Sequence, residues 1–562
     1  MSCTSKVTVA LFALTAPALA AGTGLAADSD SDPDRVAALN KVVRFFSDKI
    51  QQDPTDAKAF SERGAARQAL CDFDKAIADY DEAIRLDPNN SVAYSGRGNS
   101  WYDKGEYDKA HADYDETIRL DPNNGYAYVA RGYSWQTKGE IDSAIADYDE
   151  AIRLVPKNSE AYAFRGAALD AKGESDKALA DFDEAIRLDP KNWRAYIGRA
   201  NVWDSRGEWD KALADYDEAI RLDPSNPDGH LGRGNAWNAT GDFDKAIADY
   251  DEAIRLDPKN WRAYIGRGRT WDVKRDFDKA LADFDESVRL DPKNSVAYAG
   301  RGRAWDGKGE WDKALADFDE AIRLDAKNWE AYIGRGNTWG VKGDFDKALA
   351  DCDEAVRLDP KNWEAYIGRA RAGEAKGEWD EALADYDEAI RLSPNNCEAY
   401  IRRGRAFSGN GELDKGIADF DVAIRLDPQN SAPRAWRGMA WGDKGELDKA
   451  TADFDEAIRL DPQSFAALDC RAWIRATCWN DKFRDGAKAV EDANKAAELT
   501  DWKDFAILNT LAAAYAEAGM FDKAMEWQQK AMELAPHAEM QGCRSRLKGY
   551  RKEKPYRDEP KK

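Results

Sequence analysis

The feature that most constrains this chain is its proline period. Pro54, Pro88, Pro122, Pro156, Pro190, Pro224, Pro258, Pro292, Pro360, Pro394, Pro428 and Pro462 stand 34 residues apart, with one double step where Ala326 replaces the proline. The stretch from Asn192, NWRAYIGRANVWDSRGEWDKALADYDEAIRLDP, returns at Asn260 and more loosely at Asn328. A fixed period of this size specifies stacked repeats, because one such unit cannot bury its apolar face without neighbours.

Within the unit Trp193–Asn226, Tyr196, Ala200 and Trp203 fall four and three residues apart, on one stripe of a helix. Gly207 is placed to end that helix in the left-handed region. Trp209, Ala212, Leu213, Tyr216, Ala219, Ile220 and Leu222 share a face of a second helix. Asp223-Pro224 stops it, since the residue before proline is pushed out of helical geometry. Each unit is therefore expected to be a helical hairpin. Ala200 and Ala212 allow close approach, and Tyr216 with its counterparts (Tyr80, Tyr114, Tyr148, Phe182, Tyr250, Phe284, Phe318) fills the space between units.

These residues resemble the tetratricopeptide repeat (TPR) pattern of a large residue, Leu-Gly, an aromatic, Ala, an aromatic and Pro. Here it reads Tyr196, Arg199-Ala200, Trp203, Ala212, Tyr216, Pro224. The likeness covers roughly nine-tenths of the chain and recurs about fourteen times, as in long bacterial arrays. It implies an all-α fold, a right-handed superhelical solenoid of hairpins with a capping helix at each end. The departure is an arginine in the leucine slot: Arg63, Arg97, Arg131, Arg165, Arg199, Arg233, Arg267, Arg301, Arg335, Arg369, Arg403 and Arg437. A half-buried arginine needs a partner. Each unit offers an aspartate just before its second-helix aromatic, as in Asp79, Asp113, Asp147, Asp181, Asp215 and Asp249. An Arg–Asp ladder is expected, within units or between them; the alternative is that these arginines grip a ligand.

Residues 1–27 have one lysine, an apolar run Val7–Ala16, then Pro17 and the small residues around Ala20, the layout of a secretory signal peptide. The run is too short to span a bilayer, so no stable membrane insertion is expected after cleavage, and a periplasmic or secreted protein is expected. Residues 28–33 read as an acidic linker. Residues 34–56 read as a capping helix carrying Val36, Leu39, Val42, Val43, Phe46 and Ile50 on one side. Residues 57–464 hold twelve regular units, 465–504 an irregular one with a lengthened turn, ATCWNDKFRDGA, and 505–537 a final one. Residues 538–562 are basic and are expected to begin as a capping helix and then fray.

A net charge of −23 argues against nucleic acid as a partner. His111, His230 and His537 have no partner at ligand spacing, so neither a metal, a cofactor nor catalytic residues are expected. Carboxylate pairs such as Asp215 with Asp217 and Asp249 with Asp251 recur in every unit and read as solvated surface charge. Cys352 occupies an aromatic slot and reads as core. Cys470 and Cys478 would lie about 12 Å apart if one helix ran through both, too far for a disulfide.

The resemblance implies a groove lined by first helices that takes extended peptides or partner helices. The slot two residues after each ladder arginine varies: Asn99, Tyr133, Asn201, Asn235, Arg269, Arg303, Asn337, Arg371 and Arg405. One turn earlier stand Val129, Ile197, Leu231, Ile265, Ile333, Ile367 and Ile401. Arginine and asparagine beside aliphatics suit a peptide backbone or carboxylate. Where carboxylate-clamping family members place lysine, this chain has aliphatics. Trp193, Trp261, Trp329 and Trp363 open four units and are expected to pack on the preceding turn. The reading is a non-catalytic protein- or peptide-binding scaffold of the cell envelope. The alternatives are a regulatory or targeting subunit of an envelope enzyme, and an architectural spacer.

Overall fold

The computed structural model describes residues 33–558. Residues 1–32, on which the expected leader and nearly all of the expected acidic linker fall, lie outside them, as do residues 559–562. The described chain forms two compact units, one ending at Pro292 and one beginning at Lys293. The first holds the capping helix and hairpins 1 to 7, the second hairpins 8 to 14 and the C-terminal helix.

In hairpin 5 the helices run Trp193–Ser205 and Trp209–Leu222. The Asn192 side chain accepts from the Ala195 amide and satisfies one of the orphan donors of the first turn. Gly207 follows at φ +72°, and the second helix gives way at Asp223 before the proline. The same pair recurs from Ala57–Gln68 with Phe73–Leu86 to Ala432–Asp443 with Leu447–Leu460. The capping helix is Pro33–Gln52, with Leu39, Val42 and Phe46 buried against hairpin 1. Hairpin 13 is Phe465–Thr477 and Gly486–Leu499, joined by a long turn that contains a 3-10 turn, Asp481–Phe483. Hairpin 14 is Phe505–Glu517 and Phe521–Leu534.

The core repeats with the sequence. Second-helix rings slide between glycines of consecutive first helices: a methyl group on Gly198 would meet Phe182 Cε1 at 2.3 Å, and one on Gly166 at 2.9 Å. Glycine is needed there for close approach.

The predicted ladder is present, and it runs both ways. Arg199 donates from Nε and Nη2 to the two oxygens of Asp215 in its own hairpin, at 2.8 and 2.7 Å. Its Nη1 reaches back to Asp183 of the preceding hairpin at 2.6 Å. The same fork joins Arg97 to Asp113 and Asp81, and Arg403 to Asp419 and Asp387. All twelve arginines named above make the two-pronged contact to their own hairpin. The ligand-gripping alternative fails because these guanidinium groups are already occupied.

The carboxylate pairs need correction. Asp215 is buried under its arginine whereas Asp217 is exposed and holds Arg233 of the next hairpin at 2.6 Å. Two residues on a helix are about 200° apart, so one carboxylate faces in and the other out. Burial, which outweighs the hydrogen bonds from Arg97 and Arg267, raises Asp113 and Asp283 above the usual carboxylate range. Asp249 is buried too, but it gains a contact to His230 Nδ1 beside its arginine, and the two together hold it below that range.

The C-terminal segment also departs from expectation. A helix spans Met540–Tyr550, with Cys543, Leu547 and Tyr550 buried. The chain beyond it does not fray but returns to hairpin 13. The Asp558 amide donates to the Thr477 carbonyl at 2.8 Å, and Trp473 Nε1 donates to the Asp558 carboxylate at 3.0 Å. Arg557 pairs with Glu517 at 2.6 Å. Cys470 and Cys478 are both unbridged thiols.

Two stability predictions follow from this geometry. Arg199→Leu strands buried Asp215 and is expected to destabilise by about 3–5 kcal/mol. Adding Asp215→Leu should recover most of that, read as restored amide protection in hairpin 5 by hydrogen exchange. Arg275 stands where other hairpins have glycine, at φ +62°. Arg275→Gly relieves left-handed strain of about 1 kcal/mol, and calorimetry should show a higher melting temperature.

Candidate functional site

With the ladder arginines occupied, the candidate face is the variable slot two residues on. In the first compact unit its members take different roles. Tyr114, Tyr216 and Tyr250 donate their hydroxyls to Asn99, Asn201 and Asn235 at 2.9, 2.6 and 2.8 Å. Each asparagine oxygen is therefore used internally, and the amide NH2 is the group left to donate. Asn201 and Asn235 are exposed, so their NH2 groups face solvent; Asn99 is buried and contributes packing. Tyr133 is half-buried in an aromatic row, with ring centroids 5.5 Å from Tyr102 and 5.3 Å from Phe164. Where the second-helix ring is Phe284, which has no hydroxyl, the slot holds half-buried Arg269 instead.

In the second unit the slot is cationic. Arg303 is half-buried, Arg371 and Arg405 are exposed, and Asn337 is half-buried. Arg405 lies over the Trp436 ring at 4.2 Å, a cation–π contact that fixes its plane and leaves its edge open. Arg371 Nη1 donates to Asn337 Oδ1 of the previous hairpin at 3.3 Å, so neighbouring slots touch.

The aliphatic row lies deeper than a ligand surface. Val129, Ile265, Ile333, Ile367 and Ile401 are buried, and only Ile197 and Leu231 are half-buried. Ile197, Ile333 and Ile367 pack in the clusters around Tyr216, Ala355 and Tyr386. They support the polar slots from beneath. Trp193, Trp261, Trp329 and Trp363 are half-buried; Arg194 covers Trp193 at 4.4 Å and Arg262 covers Trp261 at 4.6 Å. Sequence reasoning missed the tyrosine–asparagine pairing, although its signal is present: all three asparagines named above stand 15 residues before a tyrosine.

Among the described residues no cluster of three or more His, Cys, Asp or Glu side chains could hold a metal ion. No described helix is long and apolar enough to cross a membrane.

Comparison with known proteins agrees with this geometry. Tetratricopeptide repeat models match residues 57–90, overlapping windows from 95–159 to 401–465, and residues 505–537. The chain belongs to the tetratricopeptide repeat family. No curated protein matches it. Among solved structures, a chain of the APC/C hetero-tetramer Cut9–Hcn1 is similar over 88% of this chain and 96% of its own, at TM-score 0.53 and 15% identity, a likeness of fold. A tetratricopeptide repeat protein from Parabacteroides merdae matches at 21% identity and TM-score 0.37, over 42% of this chain and 93% of its own. YrrB, described as a TPR protein with an unusual peptide-binding site, matches at 24% identity and TM-score 0.28, over 34% of this chain and 97% of its own.

Proposed function

We propose that the protein is a non-catalytic scaffold of the cell envelope that holds extended segments of partner proteins against its first-helix face. The observation that carries this reading is the division between neighbouring residues on the first helices. Each ladder arginine is consumed by aspartates, while two positions on Asn201, Asn235, Arg303, Arg371 and Arg405 present an amide NH2 or an arginine edge. Such donors suit peptide carbonyls and carboxylates. Asn201 and Asn235 offer neutral donors for a backbone, and Arg303, Arg371 and Arg405 offer charged ones for acidic side chains. Family membership supports protein binding in general, because TPR stacks are interaction surfaces, but fold alone does not select a partner. Export rests on the leader-like composition of residues 1–27 and is tested by sequencing the N-terminus of the protein recovered from its native cells.

The functional test is selection from a displayed peptide library of random sequence. Wild-type protein is expected to enrich extended peptides carrying Asp or Glu. The variant with Arg269, Arg303, Arg371 and Arg405 all changed to alanine should bind them at least tenfold more weakly, about 1.4 kcal/mol. Undiminished binding by the variant would move the site off this face.

A further inference from the structure

One position breaks the ring stacking. Every other regular hairpin has tyrosine or phenylalanine in the second-helix slot, and hairpin 9 has Cys352. The two glycines that flank a ring elsewhere are kept, yet the atom nearest a methyl on Gly336 or Gly368 would be the Cys352 sulfur, at 3.0 Å, in place of a ring. At the preceding hairpin the matching methyl on Gly334 would meet the Phe318 ring at 2.4 Å. The next hairpin lacks a ring as well: Gly373 stands where Trp203, Trp237, Trp271, Trp305 and Trp339 stand in other first helices.

The vacated space is a cavity of about 200 Å³, lined by Gly336, Asn337, Phe345, Gly368, Arg371 and Ala372 among others. Asn337 is the counterpart of Asn201 and Asn235, which accept tyrosine hydroxyls; its own ring partner is absent, and its oxygen meets Arg371 instead. Among the described residues that is the one hydrogen bond of Arg371, and no carboxylate pairs with it, while neighbouring Arg402 is held by Glu398 at 2.6 Å. The cavity therefore sets Phe345, Ala348, Ala372 and Ala375 beside a guanidinium whose one hydrogen bond goes to a neighbouring amide.

We propose that this cavity binds an aromatic side chain whose adjacent carboxylate pairs with Arg371, the C-terminal phenylalanine of a bound peptide. An apolar cavity of about 150 Å³ accommodates benzene, so the space here takes a phenyl ring together with its methylene. The ring packs against Phe345 and the alanines of the lining. The carboxylate stays at the rim, where a planar two-pronged donor suits it. This deepens the reading of the first-helix face by naming what it takes at one register.

The full-length protein is titrated calorimetrically with 3-phenylpropionate, with its amide, and with a peptide ending in phenylalanine, free or amidated at the C-terminus. The acid is expected to bind at least tenfold more tightly than the amide, and the free peptide more tightly than either. Cys352→Phe refills the slot as Phe318 does in hairpin 8. It should weaken every probe at least tenfold while raising the melting temperature. Cys352→Ala should retain binding, and Arg371→Gln should abolish the preference for acid over amide. Equal affinity of wild type and Cys352→Phe, or no saturable binding of any probe, overturns the proposal. If library-selected peptides still bind Cys352→Phe while the phenyl probes bind neither protein, the cavity proposal fails and the face reading stands. Binding of 3-phenylpropionate with none of the peptide reduces the site to one for free aromatic acids and overturns the C-terminal assignment.

Discussion

The interaction on which each stack depends is the forked contact of one guanidinium with two aspartates. A buried carboxylate is costly unless it is paired and hydrogen-bonded. The first-helix arginine meets that need bidentately inside its own hairpin. Its remaining nitrogen then reaches the exposed aspartate of the hairpin before it, so the group that satisfies one hairpin also sets the register of the next. Planarity and a fixed donor geometry make arginine suited to this in a way that lysine is not.

The ends of the array show how far the constraint extends. At the N-terminal end, Ser47 of the capping helix stands where a preceding aspartate would be, and it accepts from Arg63 at 3.2 Å. In hairpin 13 the turn is longer, yet Arg471 still reaches Asp492 at 2.7 Å and Asp455 at 2.6 Å. The ladder then closes cleanly. Hairpin 14 has Leu511 in the arginine slot and Trp527 in place of the buried aspartate, packed in one apolar cluster. The outgoing aspartate of hairpin 13 is replaced by Asn494, whose amide bonds its own helix. Both charges are withdrawn together, leaving no stranded ion. The substitution of an apolar pair for an ion pair agrees with the modest net value of buried salt bridges.

Most of the fold was legible because its signals are local and periodic. The proline spacing, the alternation of small and large residues and the recurrence of arginine predict hairpins, close packing and a ladder. What escaped was geometry that a one-dimensional pattern conceals. Asp215 and Asp217 look alike in sequence but fall on opposite sides of their helix, one inside and one out. The return of residues 556–558 to Trp473 and Thr477 joins points more than 80 residues apart, with no repeat to announce it. The cavity between hairpins 9 and 10 was not legible either, because the exchange of one aromatic for Cys352 does not say whether the neighbours close over the space. For the candidate face, the variable slot was identifiable, but the depth of Ile265, Ile333 and Ile367 was not, because a helical stripe does not say how far a neighbour overlaps it.

The central claim is that the ladder arginines are structural and that recognition is left to the residues two positions on. It is tested most directly by arginine modification of the native protein with phenylglyoxal, read site by site by mass spectrometry. The account predicts rapid modification of Arg371 and Arg405 and slow modification of Arg97, Arg131, Arg199, Arg335 and Arg403, with the difference lost on unfolding. Ladder arginines that react as fast as Arg371 in the native protein would contradict it.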